Sequence, residues 1–296
     1  MHRFRILNVF AIDEDRFSGN PLCVFEDGRA LSDARMQALA RQLNLSETTF
    51  VLPAEQEGAS ARVRIFTPSF EMPFAGHPTL GTAHVVRSLR GAREDALVLE
   101  MKAGLVEVKR EGGALDRWTL RTARAPEARA PKASRAELAA MLGLDVGEAS
   151  AAAIVDEPLW VDTGAEQLVI PLSSADLVRA ARPSADLLQA HGFSEKRGAA
   201  MAYAWAPTRP GEVLARFFFL VNGGVVEDPA TGSACANLGG WHVATKKPLP
   251  VRLRVSQGEA LSRPSRLDLH VDSEGRIFVG GAVREVASGM FDLGAG

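Results

Sequence analysis

Cysteine is scarce in this chain: Cys23 and Cys235 are the only two among 296 residues. Two thiols that far apart make no disulfide scaffold and fit no metal-ligand spacing, so the fold must rest on its core, and a reducing cytoplasm is the expected setting. Charge of one sign is lacking too. Lys and Arg number 34 against 36 Asp and Glu, for a net charge of −2, which leaves no basic field to attract nucleic acid or an anionic membrane. Long hydrophobic runs are missing as well. The opening Met1-His2-Arg3-Phe4-Arg5 leads into a short apolar stretch that soon meets Asp13, Glu14 and Asp15, which fits neither a signal peptide nor a membrane span. Neither a P-loop nor a dinucleotide fingerprint accompanies the glycines, so no nucleotide, cofactor or metal is expected. What is there is ordinary for a globular protein: 46% hydrophobic and 24% charged residues, with a small molecule as the default partner.

One short sequence occurs twice. His77-Pro78-Thr79-Leu80-Gly81-Thr82-Ala83 and Asp228-Pro229-Ala230-Thr231-Gly232-Ser233-Ala234 are near copies, one in each half of the chain. Each reads as a helix start: a polar residue able to cap, Pro at the first helical position, then Gly and a hydroxyl. Such a start attracts anions through its free N–H groups and positive dipole end. The upstream context repeats as well. Arg64-Ile65-Phe66 and Arg216-Phe217-Phe218 precede the two copies at nearly the same distance. The pattern predicts a duplicated fold with a small acidic ligand.

Periodicity supplies the elements. Arg5 to Phe10, Leu22 to Phe25, Ala61 to Thr67, Leu97 to Met101, Leu105 to Lys109 and Trp118 to Arg121 read as strands of the first half. Met36, Leu39, Ala40 and Leu43 mark a helix capped by Ser32. That helix breaks at Asn44, just before Glu47 and the apolar-rich run Thr48 to Leu52. A passage from Thr122 to Ser134, rich in Ala, Pro and charge, reads as a linker. Ser134-Arg135-Ala136-Glu137 is a capping-box pattern for a helix that Gly143 can end. Ser174 and Ser184 head two capped helical turns. Strands are expected at Gln167 to Leu172, Met201 to Trp205, Val213 to Val221, Val251 to Val255, Leu267 to Val271 and Arg276 to Val283. Many strands and few helices per half predict an α+β protein, with domains at 1–124 and 125–296 and the last residues free to cross back to the first.

Four separated motifs carry a resemblance. Phe17-Ser18-Gly19-Asn20-Pro21-Leu22, Asn44-Leu45-Ser46-Glu47-Thr48, Phe66-Thr67-Pro68 with Pro73-Phe74-Ala75-Gly76-His77-Pro78-Thr79, and Glu227-Asp228-Pro229-Ala230-Thr231-Gly232-Ser233-Ala234 are similar to the signatures of the PhzF-like phenazine-biosynthesis isomerases. The resemblance implies a diaminopimelate-epimerase-like fold of two similar lobes. Each lobe is then a barrel-like, mostly antiparallel sheet around a central helix, with the active site in the cleft between lobes. It also implies a cofactor-independent isomerase of a small unsaturated or cyclic carboxylic acid, such as trans-2,3-dihydro-3-hydroxyanthranilate, and a homodimer. Glu47 is then the acid/base, with His77, Asp228 and Ser233 as the other catalytic positions. Gly76 and Gly232 become backbone donors to the substrate carboxylate, and Asn20 and Ser46 join the substrate-binding set.

Elementary chemistry agrees with that assignment. Moving a proton from one carbon to another needs a positioned base and a stabilised negative charge. Phe50 and Phe74 are the expected apolar neighbours of Glu47. His84 is expected to pack on its helix, and His242 and His270 have no partner visible in the sequence. Epimerases of this fold use a thiol pair, one from each lobe, and the first repeat offers Ala83-His84 where a cysteine would be needed. Proton transfer by a single carboxylate is therefore expected over two-thiol epimerisation. The alternatives are a non-catalytic carboxylate-binding protein and an epimerase or racemase of the same fold. Where relatives carry a Pro after the second Arg-x-Phe strand, this chain reads Leu220-Val221-Asn222-Gly223-Gly224, so its substrate range is open.

Overall fold

The computed structural model describes residues 1–13, 15–112, 115–122, 124–144 and 152–294. Glu14 of the acidic N-terminal stretch and Ala123 of the expected linker lie outside them. The chain divides into two units, Met1–Arg121 with Gly280–Gly296 and Thr122–Val279.

The first unit contains β1 (His2–Ala11), β2 (Asn20–Phe25), α1 (Asp33–Leu43), β3 (Glu47–Leu52), β4 (Ala61–Phe66), β5 (Glu71–Met72), α2 (Gly76–Leu89), β6 (Ala96–Met101), β7 (Gly104–Glu111) and β8 (Asp116–Arg121). The second contains β9 (Glu127–Arg129), α3 (Arg135–Met141), β10 (Leu159–Asp162), β11 (Gln167–Pro171), α4 (Ala175–Ala180), α5 (Ala185–His191), β12 (Phe193–Ser194), β13 (Ala199–Arg209), β14 (Glu212–Val221), β15 (Gly224–Asp228), α6 (Gly232–Ala244), β16 (Val251–Gln257) and β17 (Ser265–Val271). A long last strand, β18 (Ile277–Phe291), starts in the second unit and ends in the first.

In the first unit the strands close on themselves. β18 pairs antiparallel with β1, β1 with β2, β2 in parallel with β3, β3 antiparallel with β4, β4 in parallel with β6, β6 with β7, β7 with β8, and β8 returns to β18. The result is an eight-stranded barrel with α2 at its centre. In the second unit the same succession runs β9, β10, β11, β13, β14, β16, β17, with parallel pairs at the same two places, β11 with β13 and β14 with β16. Helix α6 occupies the position of α2. Fold class is α+β, two similar units of mostly antiparallel barrel-like sheet around a helix.

A helix fits inside a small barrel only where it offers little bulk. A Cβ on Gly81 of α2 would lie 2.5 Å from Leu22 Cδ2, and one on Gly240 of α6 would lie 2.7 Å from Val161 Cγ1. On the outside, α1 packs on Cys23, Phe25, Phe50 and Phe66, and α3, α4 and α5 cover Trp160, Leu168, Ile170 and the even-numbered alanines of β13.

The repeated Arg-x-Phe strands are braces. Arg64 forms a two-pronged ion pair with Glu71, and Arg216 does the same with Glu227. Each guanidinium also lies over the ring two residues on, Phe66 at 5.1 Å and Phe218 at 4.7 Å. The sequence showed the arginines but not their partners.

Several expectations need correction. Neither Pro of the repeat opens a helix: α2 begins at Gly76 with Ala75 as N-cap, so Pro78 is the third helical residue, while α6 begins at Gly232 with Thr231 as N-cap, beyond Pro229. Pro78 is tolerated there because the first N–H groups of a helix have no intrahelical acceptor in any case. His77 and Asp228 are therefore not caps. Part of the expected linker is a strand, β9, which gains its hydrogen bonds from β10 across the sheet and not from its own polar sequence. Ser184 makes no side-chain cap bond, although Ser32, Ser134 and Ser174 do.

Candidate active site

In the first unit, three sequence motifs deliver their residues to one place. Gly19 has φ +87, and a Cβ there would sit 2.6 Å from the Val9 carbonyl. Only glycine fits this turn, which leads straight into Asn20 and Pro21 at the head of β2. Asn44 ends α1 in the left-handed region, φ 51, and its N–H bonds the Ala40 carbonyl. The chain thereby turns through Ser46 so that Glu47 is the first residue of β3, in register with Leu22. Gly76 and His77 are the first two residues of α2.

Glu47 and His77 meet. The Glu47 Oε2 lies 3.2 Å from His77 Nε2, with both side chains largely withdrawn from solvent. His77 is also hydrogen-bonded to the backbone of Pro21. Proline has no N–H, so the imidazole is the donor and the Pro21 carbonyl the acceptor. Because Nε2 faces Glu47, the donor is Nδ1, and this fixes the tautomer. Burial pushes the imidazole pKa from 6.5 down to about 3, so near neutral pH the ring is uncharged, with Nε2 close to the carboxyl.

The environment of Glu47 differs from the expected one. Side chains alternate along a strand. Thr49, on the same face as Glu47, exchanges a hydrogen bond with Thr82 of α2 at 2.8 Å, which places that face toward the barrel interior. Phe50 points the other way, stacked on Phe25 at 5.0 Å beneath α1. It is not a neighbour of the carboxyl. Phe74 is half-buried, two residues before α2.

In the second unit Asp228 is the last residue of β15, opposite Phe217. Thr231 donates its hydroxyl to Asp228 Oδ2 instead of capping α6. Gln257 donates to the Asp228 carbonyl at 2.9 Å and to Thr231 Oγ1 at 3.1 Å. Gly232 and Ser233 open α6. Ser233 accepts a hydrogen bond from Gln167 at 2.9 Å, and Gln167 in turn accepts from Asn237 at 2.7 Å. Thr231, Gln257, Gln167 and Asn237 were not singled out from sequence. Thr231 stood there only as a member of the repeated heptapeptide, and the other three carry no motif.

Thus Glu47, His77, Gly76, Asn20 and Ser46 are gathered by the first unit, and Asp228, Gly232 and Ser233 by the second. The N-cap residues, Ala75 of α2 and Thr231 of α6, make no side-chain cap bond. Both thiols are buried: Cys23 lies under α1 with its pKa pushed up to about 12, and Cys235 inside the second barrel is pushed higher still. Neither is a ready proton carrier. His84 pairs with Asp116 at 3.1 Å, His242 packs on Trp205 and Trp241, and His270 stacks on Phe278. Among the described residues no His, Cys, Asp and Glu cluster is arranged to hold a metal, and no helix is long and apolar enough to cross a membrane.

The comparisons with known proteins agree with one another. The family model for phenazine biosynthesis-like proteins matches residues 7–288. An uncharacterized isomerase of Pasteurella multocida is 37% identical over 100% of this chain and 96% of its own. The trans-2,3-dihydro-3-hydroxyanthranilate isomerase of Pseudomonas aeruginosa is 36% identical, covering 93% of this chain and 92% of its own. Among solved structures, a PhzF-family phenazine biosynthesis protein of Bacillus anthracis superposes with TM-score 0.82 at 24% identity, covering 97% of both chains. A structure described as a predicted epimerase of P. aeruginosa gives 0.80 at 33% identity, covering 100% of both. A structure described as a probable proline racemase of Agrobacterium radiobacter, at 0.64 and 11% identity over 99% of this chain and 94% of its own, shares the fold alone. This chain belongs to the PhzF family of phenazine biosynthesis-like proteins and is an isomerase of that family.

Proposed function

We propose that the protein moves a proton between carbons of a small unsaturated or cyclic carboxylic acid, without a cofactor, and that Glu47 carries the proton. The observation behind this reading is the buried Glu47–His77 pair, with a neutral imidazole 3.2 Å from the carboxyl. Glu47 takes a proton from a substrate C–H and holds it as the carboxylic acid while the substrate anion is delocalised, with the neutral His77 beside it. A proton, exchangeable with solvent while Glu47 holds it, then returns to a different carbon. Such a positioned acid/base contributes ~10²–10⁴-fold to a rate.

Asp228 and Ser233 are the polar residues proposed to act on the substrate from the second unit, and Gly76 and Gly232 supply backbone N–H groups to its carboxylate. Asn20 and Ser46 complete the binding set. The substrate of the P. aeruginosa relative, trans-2,3-dihydro-3-hydroxyanthranilate, is the first compound to try. The buried thiols favour this route over two-thiol epimerisation. A homodimer in the cytosol goes with the same family likeness, and sedimentation of the purified chain checks its oligomeric state.

The test is Glu47→Gln, which keeps the shape and removes the exchangeable acid. Turnover of trans-2,3-dihydro-3-hydroxyanthranilate, and deuterium uptake from solvent into it, should fall about 10²-fold or more. Turnover within a few-fold of the parent would overturn the role of Glu47. A protein that binds the compound yet exchanges nothing even as wild type would be a carboxylate binder.

A further inference from the structure

The hydrogen-bond chain beneath Ser233 has a direction, and its direction is set by the backbone. At one end Asn237 Oδ1 accepts from the Thr163 backbone N–H at 3.0 Å and from the Thr163 hydroxyl at 2.8 Å. Its amide nitrogen donates to the Ala165 carbonyl at 2.7 Å and to Gln167 Oε1 at 2.7 Å. A backbone N–H can only donate and a carbonyl can only accept, so the Asn237 amide has one permitted orientation. That fixes Gln167: its oxygen is taken by Asn237, and its nitrogen must face Ser233 Oγ, 2.9 Å away. Both amides are almost wholly buried, Gln167 at 2% and Asn237 at 0% exposure, where a reversed amide would leave donors and acceptors unpaired.

Ser233 is thus an acceptor on its buried side. A hydroxyl has one proton, and here it is not used toward Gln167. Ser233 is partly exposed, at the second residue of α6.

We infer that Gln167 is a positioning residue which, held by Asn237, makes the Ser233 hydroxyl an outward donor committed to an acceptor oxygen of the substrate. The inference rests on the reading of Ser233 as a substrate-binding residue and adds the polarity of its bond. The ligand chemistry is an oxyanion, for which a carboxylate is the case at hand, and not a group that itself must donate.

Gln167→Glu reverses the polarity with almost no change in shape. A carboxylate at this position only accepts, so the Ser233 proton turns inward. Gln167→Met removes the donor and leaves the Ser233 proton free to turn either way. Binding of 3-hydroxyanthranilate, followed by calorimetry on the full chain, should weaken about ten-fold in Ser233→Ala and by a similar factor in Gln167→Glu, with a smaller loss in Gln167→Met. Adding Ser233→Ala to either Gln167 variant should cost nothing beyond Ser233→Ala alone, because residues that act through one another are not additive. A merely structural role predicts the opposite order, with Met, which breaks two hydrogen bonds, as the worse replacement. Unchanged binding in folded Gln167→Glu, or losses that add to that of Ser233→Ala, would overturn the inference and leave the role of Ser233 standing. Should Gln167→Glu fail to fold, additivity in the Gln167→Met pair decides alone. If the wild-type chain does not bind the probe, or Ser233→Ala binds it as tightly as the parent, the reading of Ser233 fails and the inference with it.

Discussion

His77 shows how burial sets chemistry one residue at a time. Its ring is withdrawn from water and donates to the Pro21 carbonyl, and its pKa drops to about 3; His242 drops to about 4, and burial lowers His84 despite Asp116 beside it. In the unfolded chain each imidazole takes up a proton near pH 6.5, whereas in the folded protein His77 and His242 stay neutral down to about 3 and 4, and His84 also protonates at lower pH than in the unfolded chain. Between those values the unfolded state binds more protons, so stability rises with pH across the window and is lost on acidification. The melting temperature should fall steadily from pH 7 to pH 4, and His77→Gln, which keeps a donor for Pro21, should show a shallower fall. A parent melting curve that does not move over this range would contradict the neutral assignment. The proposed site residues came from the resemblance of four motifs, and turn residues such as Gly19 and Asn44 in those motifs mark how the chain presents them. Their surroundings were not legible in the sequence. Phe50 follows Glu47 closely in sequence yet lies on the opposite face of β3, and Gln167 reaches Ser233 only because β11 and α6 belong to one barrel.

At the scale of elements, the alternation of apolar and polar residues located the longer strands and the caps located α1 and α3. Short strands such as β5, β9, β12 and β15 carry too few residues for a period to show. Their partners across the sheet define them. The braces on β4 and β14 differ in a way that predicts unequal costs. Arg216 and Glu227 are each about 8% exposed, whereas Glu71 is 22% exposed and Asp33, the other partner of Arg64, faces solvent. Arg216 also donates to the carbonyls of Val178, Arg179 and Ala181 at the end of α4. Arg216→Met should therefore cost ~3–5 kcal/mol by leaving a buried carboxylate alone, and Arg64→Met clearly less, read from urea denaturation midpoints. The central helices make a second prediction. A methyl on Gly240 would meet Val161, Pro126 and Thr163 within 2.7–3.1 Å, so Gly240→Ala should lose ~1–3 kcal/mol by overpacking, even though alanine favours a helix over glycine by about 1 kcal/mol. A stabilised Gly240→Ala would mean that the barrel around α6 yields more readily than its side chains indicate.

On the scale of the whole molecule, duplication was legible in the paired heptapeptides, though the two copies begin their helices at different points. A return of the last residues to the first unit was expected, but not its point, since nothing in Arg276 to Val283 marks where one unit ends and the other begins. Residues 280–291 of this strand close the first barrel between β1 and β8. A chain ending at residue 279 leaves both of those strands with an open edge. Hydrogen exchange on such a truncation should show protection lost along β1 and β8, while β13 and β14 of the second unit keep theirs; protection retained in β1 would refute this. The same path has a consequence for synthesis. The ribosome begins the first unit, completes every strand of the second, and only then releases the segment that the first still lacks. Domains generally fold in the order in which they emerge; here the part of the protein that carries Glu47 and His77 is the first to be started and the last to be finished.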